Sequence, residues 1–454
     1  MSDKRKKWCE HAPLLTALFL VLGVQLFLFV NKYAVNLPYL DQWGFYSVFV
    51  NNGSWLDVFR YQHGPHRQGV AFLLTKWLYD ATNWNIRAEG FFIAGVLLAT
   101  AITMLTALRR MRGQLTLWDA TIPLLIVTPT FFENMVLTPN ASHSIFSLFL
   151  LSVLMLVQTM PSAIVRTSLS IATYFLLIFT GFGLLIGCAI LAWQCFELAC
   201  SAVNKSRKAF AYSLAELLGM LLSLALFFIG YVHAPAIDCF TFPHPSLDEY
   251  VLFIFYLIGF FGGVHVSYVG GLAKVPSLIF GACQFVLILA VYSCASFDAF
   301  RTRRHTPLLV KTVWILMTSS LMYLVATAVG RVCAGVATGQ AFRYFPLIAP
   351  AYLGMFIYLG EKTSRTAKTV MLALLVMVCA KALLFSLPTS SVSFNFLAKE
   401  QAKKRVWMDT YRATHDIAQA NSISGITISG GHDESLLKGL DFFKKNHFGF
   451  LSDK

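Results

Sequence analysis

The sequence predicts an all-α fold, a polytopic transmembrane helical bundle of about 10–12 spans. The chain of 454 residues is 57% hydrophobic and only 13% charged, whereas soluble domains carry about 25% charged residues. Its mean hydropathy is +0.64. Apolar runs of roughly 18 to 23 residues recur along it, and a helix needs about 20 apolar residues to cross the hydrocarbon core. A water-soluble fold is therefore excluded.

The formal net charge of +14 indicates topology. The Lys and Arg residues lie mostly in short clusters between apolar runs, and such clusters mark the cytoplasmic loops of membrane proteins. A nucleic-acid-binding protein would instead carry them as one continuous basic surface. We therefore expect no nucleic-acid partner.

The nine cysteines show no metal-type spacing. Two of them, Cys239 and Cys333, could both face the oxidising side of the membrane, where a disulfide between them could form. Most of the others lie inside apolar segments, and we interpret these as small core residues. The cysteines in apolar segments are Cys188, Cys195, Cys200, Cys283, Cys294 and Cys379.

The basic clusters orient the first helices. The N-terminal run Lys4-Arg5-Lys6-Lys7 precedes the apolar run 12–30 without a following cleavage site, which predicts a retained first helix with a cytoplasmic N-terminus. Residues 33–87 are too polar and aromatic to span, so they are predicted to be extracytoplasmic. This loop contains two amphipathic pieces, 41–51 and 68–80, that are expected to lie along the outer surface.

One segment decides the topology of the second half of the chain. Arg301, Arg303 and Arg304 are cytoplasmic only if 250–272 is a re-entrant or surface-lying segment, and its Gly-Gly pairs suit irregular backbone buried in protein. The other predicted spans are 88–108, 118–134, 143–160, 167–181, 184–203, 212–232, 277–297, 309–329, 346–360 and 369–387.

With this topology the chain divides into a transmembrane domain, 1–387, and an extracytoplasmic tail, 388–454. The tail is predicted to contain a surface helix at 398–418. Turns around a short strand are expected at 424–431.

The first polar segment outside the membrane contains Asp41, close to the end of the first helix. A carboxylate held there is placed to accept a proton from an acceptor hydroxyl, although it could simply cap the helix that follows. His63, His66 and Arg67 come later in the same loop. They could form a metal site with Asp41, a substrate-binding loop or a hydrogen-bonded turn, and metal is disfavoured because the two His flank a Gly-Pro pair.

Two more polar segments are predicted at the same surface. Glu133, next to Asn134, could bind sugar hydroxyls or pair with an arginine. Arg331 and Arg343, the latter followed by Tyr344, lie at the outer ends of consecutive spans. Arginines there could form bidentate bonds to a lipid-linked phosphate or could be snorkelling anchors.

Together these segments, at about 40 to 345, resemble the GT-C superfamily of polytopic glycosyltransferases, in particular bacterial members. The resemblance rests on four motifs that the family shares. They are Asp41-Gln42-Trp43, the element His63-Gly64-Pro65-His66-Arg67, the pair Glu133-Asn134, and Gly330-Arg331 with Arg343-Tyr344.

The resemblance implies an inverting transferase that moves a sugar from a polyprenyl-phosphate donor to a cell-envelope glycan or lipid acceptor, such as lipopolysaccharide O-antigen. It would act on the extracytoplasmic face of a bacterial inner membrane, among membrane lipids, with Asp41 as the catalytic carboxylate. The implied substrate-binding residues are Trp43, His63, His66, Arg67, Glu133 and Asn134, and the donor-phosphate-binding residues are Arg331, Arg343 and Tyr344.

Relatives often show two consecutive acids where this chain has Asp41-Gln42. We therefore expect no cofactor, and a divalent metal is not favoured. A transporter or flippase of a lipid-linked glycan is the alternative, but it would carry charges at the membrane midplane and repeated halves. A structural partner in envelope-polysaccharide assembly is a third interpretation, in which Asp41 is dispensable.

Overall fold

The computed structural model describes residues 8–234, 239–263, 274–303, 306–386 and 394–452. These are overwhelmingly helical, which confirms the all-α prediction; the strands described are β1 (Gln62–His63) and β2 (His66–Arg67), paired antiparallel. The α-helices are α1 (Trp8–Tyr33), α2 (Gln42–Phe45), α3 (Ser47–Val50), α4 (Trp55–Arg60), α5 (Gly69–Ala81), α6 (Ile86–Arg112), α7 (Thr121–Ile126), α8 (Ile145–Val157), α9 (Ala163–Ile178), α10 (Gly183–Val203), α11 (Arg207–Phe228), α12 (Asp248–Phe261), α13 (Lys274–Arg301), α14 (Leu308–Arg331), α15 (Phe345–Gly360), α16 (Arg365–Ser386), α17 (Phe394–Thr414), α18 (Ile417–Ser424) and α19 (Asp433–Asn446).

Within the described ranges, seven helices are long and apolar enough to cross a membrane. A multi-pass membrane protein follows from them. The larger number of 10–12 spans stays a prediction, because α8 and α9 are apolar but contain only 13 and 16 residues. The seven segments are Pro13–Tyr33, Ile86–Arg112, Gly183–Val203, Arg207–Phe228, Val275–Arg301, Leu308–Ala334 and Phe342–Gly360.

The helix termini rich in Lys and Arg gather at one end of the bundle, which we call the basic end. Arg112, in the last turn of α6, forms ion pairs of 2.6 Å with Asp119 and with Glu361, which follows α15. Lys362 pairs at 3.0 Å with Asp298 of α13. This grouping is the one that a positive-inside topology requires.

The predicted span 118–134 is wrong as a continuous helix. The chain there forms a 3-10 turn, the six-residue helix α7, a second 3-10 turn at Pro129–Phe131 and a π-helical turn at Glu133–Leu137. Pro129 explains the break: the residue before a proline avoids the helical region, and Thr128 is extended, with φ −134° and ψ 138°. The irregular backbone that results carries Glu133.

The segment predicted to be re-entrant is only partly described. Helix α12 contains 14 residues, about 21 Å at 1.5 Å per residue, less than the ~30 Å of a hydrocarbon core. The ring of Phe261, at its end, stacks on Tyr352 at 4.6 Å, about midway along α15. Residues 264–273 lie outside the described ranges, so the re-entrant path stays a prediction.

The tail folds against the first loop, and together they form one unit. Residues 34–85 and 394–452, which we call the cap, share a hydrophobic cluster that is separate from the bundle core. Trp84 contacts Phe443 with ring centroids 5.4 Å apart, and Trp407 contacts Phe450 at 6.1 Å. The predicted tail helix 398–418 corresponds to α17, but the described residues at 424–431 form no strand and lead into α19.

Cys239 and Cys333 form a disulfide across a sequence separation of 94 residues. The other predicted interpretation of cysteines is mostly wrong, because four of the six thiols are exposed on helix faces rather than in the core. A small apolar side chain is tolerated equally well on a lipid-facing surface. These four are Cys195, Cys283, Cys294 and Cys379.

Candidate functional site

A buried carboxylate attaches the cap to the bundle. Glu89, on α6, is only 2% exposed and accepts hydrogen bonds from the hydroxyls of Tyr46 (2.9 Å) and Tyr79. The backbone N–H of Ala141 donates to it as well, at 3.0 Å. Since a buried acceptor left unpaired costs about 1–3 kcal/mol or more, these bonds fix the first loop against the 139–143 turn.

Gln42 sets the turn beside Asp41. Its amide donates to the Pro139 carbonyl at 2.8 Å and to the Tyr46 hydroxyl at 2.7 Å, while its Oε1 accepts from the Tyr39 N–H at 2.9 Å. The side chain is fully buried. A carboxylate at this position could not donate to Pro139, which gives a physical reason for a single acid here.

Asp41 is exposed and faces the tail. The backbone before it, at Leu40, has φ +54° and packs against Gly430 of the tail, with the Leu40 N–H donating to Ile428 at 2.8 Å. Asp41 Oδ1 lies 3.7 Å from Nε2 of His432. Asp41 accepts no capping bond at the start of α2, so the capping interpretation is not supported.

The β1–β2 hairpin presents two imidazoles to this surface. The ring of His63 lies 6.4 Å from that of His432, and the ring of His66 lies 5.8 Å from that of His143. Phe182 contacts both His66 (4.0 Å) and His143 (4.5 Å). The four histidines therefore line one continuous strip that begins at Asp41.

His63, His66 and His143 are neutral at physiological pH. Burial lowers the pKa of His63 to about 4; Asp41 opposes this, and His432 and Arg331 add to it. Burial, with Arg331 and His63, lowers the pKa of His66 to about 3. Burial also lowers the pKa of His143, assisted by His66 and nearby arginines. A neutral imidazole can both donate and accept a hydrogen bond.

The two predicted arginines lie on the same surface but in different states. Arg331 affects the protonation of His63 and His66, and its guanidinium forms no hydrogen bond or ion pair with any residue that the structure describes. Arg343 interacts electrostatically with Asp41 and lies 3.8 Å from Glu133. Among the described residues, the guanidinium of Arg331 therefore has fewer polar partners than that of Arg343.

Glu133 and Asn134 hold the backbone of Arg343. Glu133 Oε2 accepts from the Arg343 N–H at 2.8 Å, and Asn134 donates to its carbonyl at 3.3 Å. Of the two predictions for Glu133, the structure favours pairing with an arginine. Tyr344 is buried, and its ring lies 5.5 Å from the Arg343 guanidinium.

Two residues predicted to bind substrate are engaged elsewhere. Arg67 is 3% exposed, and its guanidinium donates to three carbonyls: Arg60 (2.6 Å), Phe227 (2.9 Å) and Ile229 (2.8 Å). It therefore ties the hairpin to the end of α11. Trp43 is buried in the cap with its ring 5.9 Å from Phe443. Neither side chain belongs to the strip.

The disulfide fixes the loop that carries Arg331. Cys333 lies two residues after Arg331 and is joined to Cys239 in the loop between α11 and α12. Disulfides persist in oxidising compartments, so the bond agrees with an extracytoplasmic position for this face.

No family model, curated protein or solved structure matches the chain.

Sequence reasoning missed His432. It lies in the tail, some 390 residues after Asp41 in sequence, where local patterns carry no information about long-range contacts. The available signal was Gly430-Gly431-His432, a polar turn in a segment predicted to lie on the same side as the first loop.

The surface can act as a proton acceptor beside two cations, with neutral imidazoles to bind hydroxyl groups. Among the described residues, no group of three or more His, Cys, Asp or Glu side chains could hold a metal ion. The expectation of no cofactor stays a prediction.

Proposed function

We propose that this protein is an inverting glycosyltransferase that moves a sugar from a polyprenyl-phosphate donor to a cell-envelope glycan or lipid acceptor on the extracytoplasmic face of the bacterial inner membrane. The observation that carries the proposal is that one exposed acid, Asp41, shares a continuous histidine-lined surface with the cations of Arg331 and Arg343.

Such a donor is already activated, so the reaction needs few protein groups. The acceptor hydroxyl attacks the anomeric carbon as its proton passes to Asp41, and the bond from that carbon to the phosphate oxygen breaks. The polyprenyl phosphate leaves with the bonding electron pair, and the cations of Arg331 and Arg343 stabilise its charge. Attack opposite to the leaving group inverts the anomeric configuration.

His63, His66 and His143 suit the sugar. A charged imidazole would repel the two arginines and add nothing that a hydroxyl needs, whereas a neutral one donates to one hydroxyl and accepts from another. His432 lies next to Asp41 and is proposed to orient its carboxylate. The tail is thereby part of the proposed active site.

The test is transfer by the purified chain in proteoliposomes, with a panel of synthetic polyprenyl-phosphate monosaccharides and isolated envelope glycan. Asp41→Asn keeps the shape of the side chain but removes the base, so transfer should fall by at least about 100-fold. Asp80→Asn is the control, because Asp80 lies in the same loop in an exposed pair with Lys76. Near-normal transfer by Asp41→Asn would contradict the assignment.

A further inference from the structure

A cavity of about 820 Å³ opens at the basic end of the bundle, the end opposite Asp41. It lies where α10 ends and α11 begins, next to the start of α9 and of α14. It shares no lining residue with the candidate site. A volume of this size accommodates a small organic ligand.

Three cations line the cavity, and one of them, Arg166, interacts electrostatically with the buried carboxyl group of Glu216. Arg166, Lys205 and Arg303 line it, and none of them forms an ion pair within the part of the chain that the structure describes. Arg166 donates only to the Met160 carbonyl, at 3.3 Å. Cations arranged in this way suit a phosphate, because arginine binds its oxygens in bidentate fashion.

The inner wall has a different chemistry. Lys311, 7% exposed, is neutralised by Glu197 at 2.7 Å and also donates to Gln158 at 3.0 Å. Glu216 is 7% exposed and lines the same wall, as does the Ser213 hydroxyl side chain. The carboxyl groups of Glu216 and of Glu197, the latter 34% exposed, would repel a second anion but can accept hydrogen bonds from hydroxyl groups.

We propose that this cavity binds the phosphate ester of a polyol, with the phosphate at the mouth among Arg166, Lys205 and Arg303 and the hydroxyls against Glu216 and Glu197. The ligand is either the headgroup of a phospholipid such as phosphatidylglycerol or a free polyol phosphate. Val203, on the rim, is 71% exposed, and an apolar rim of this kind would accompany a lipid. Basic pockets between helices at the cytoplasmic side bind anionic headgroups in other membrane proteins.

Binding is measured on the purified full chain by thermal-shift titration with dioctanoyl phosphatidylglycerol, dioctanoyl phosphatidylethanolamine, glycerol phosphate and inorganic phosphate. If phosphatidylglycerol binds more tightly than glycerol phosphate, the ligand is a lipid headgroup. If glycerol phosphate binds more tightly, the ligand is the free ester. The double variant Lys205→Gln/Arg303→Gln should weaken the tighter of the two by at least about 10-fold. Both positions are exposed, so folding is expected to be unchanged.

Lys208→Gln is the matched control, because Lys208 is exposed at the same end but does not line the cavity; it should change affinity by less than about twofold. Equal losses in the double variant and the control would overturn the proposal. Equal binding of phosphatidylglycerol and phosphatidylethanolamine, or of glycerol phosphate and inorganic phosphate, would also overturn it. None of these outcomes depends on sugar transfer.

Discussion

Replacing Arg331 by alanine tests the candidate site without knowledge of the sugar. The guanidinium makes no hydrogen bond or ion pair with the described residues, so its removal should leave the stability of the free protein unchanged. The loss of a charge-assisted contact to phosphate reduces the binding free energy by about 1.5–3 kcal/mol. This corresponds to a roughly 10- to 150-fold larger dissociation constant.

The assay is ligand-induced stabilisation by polyprenyl phosphate without sugar. At a concentration of about 100 times the wild-type dissociation constant, the ligand stabilises the protein by about 2.7 kcal/mol. A 10- to 150-fold weaker variant would gain only about 0.3–1.4 kcal/mol at the same concentration. The difference is large enough to be read from the unfolding temperature.

Arg87→Ala is the matched control for this measurement. Arg87 also lies at the cap end of a span, in the first turn of α6, but its guanidinium donates to Asn31 at 3.0 Å, and it is not among the charges that shift the pKa values of His63, His66 and His143. If both variants lost ligand stabilisation equally, or if Arg331→Ala were already unstable without ligand, the phosphate-binding role would be refuted in favour of membrane anchoring.

Three further outcomes are expected. Replacing both Cys239 and Cys333 by serine should lower the free energy of unfolding by about 2–5 kcal/mol. In calorimetry, reductant should lower the unfolding temperature of the wild type but not that of the variant. Phe443→Ala should destabilise the cap by about 3–5 kcal/mol, and this should appear as faster hydrogen exchange of the backbone amides in the first loop. Unchanged exchange in that loop would contradict the packing of loop and tail as one unit. Burial lowers the pKa of Lys404 to about 7, although the nearby Glu400 acts in the opposite direction. In the unfolded chain the lysine keeps its proton up to about pH 10.4. The unfolded state therefore binds more protons between these two pH values, so the docking of α17 should become more stable as the pH rises from 7 towards 10. Lys404→Met should abolish that dependence in limited proteolysis, and a dependence that persisted would assign it to another group.

Much of the fold could be predicted because the bilayer imposes length and charge rules on every span. Short clusters of Lys and Arg between spans predict one common cytoplasmic end, and Arg112 and Lys362 do lie together at one end of the bundle. The failed span at 118–134 has a local cause: it contains the apolar run 122–127, but Pro129 prevents a continuous helix. Hydropathy averages over such a break.

The candidate site could be predicted only in part from the sequence, because a polar residue at a membrane edge can serve either a ligand or the fold. Asp41, His63, His66 and Arg331 stand out because polar residues at a membrane edge are unusual, and the structure brings them to one surface. Arg67 has the same sequence signature, yet its guanidinium serves three backbone carbonyls. His432 approaches Asp41 through the packing of the tail, which no local pattern encodes.

The cap joins two parts of the chain that are made at very different times. About 300 residues separate position 85 from position 394, so at roughly 5–20 residues per second the first loop waits some 15–60 s for its partner. During that interval Trp43, Trp84 and the other aromatic residues of the loop have no tail to cover them. Until the tail has been made, those aromatic side chains lack their native packing partners, and His432 cannot reach Asp41.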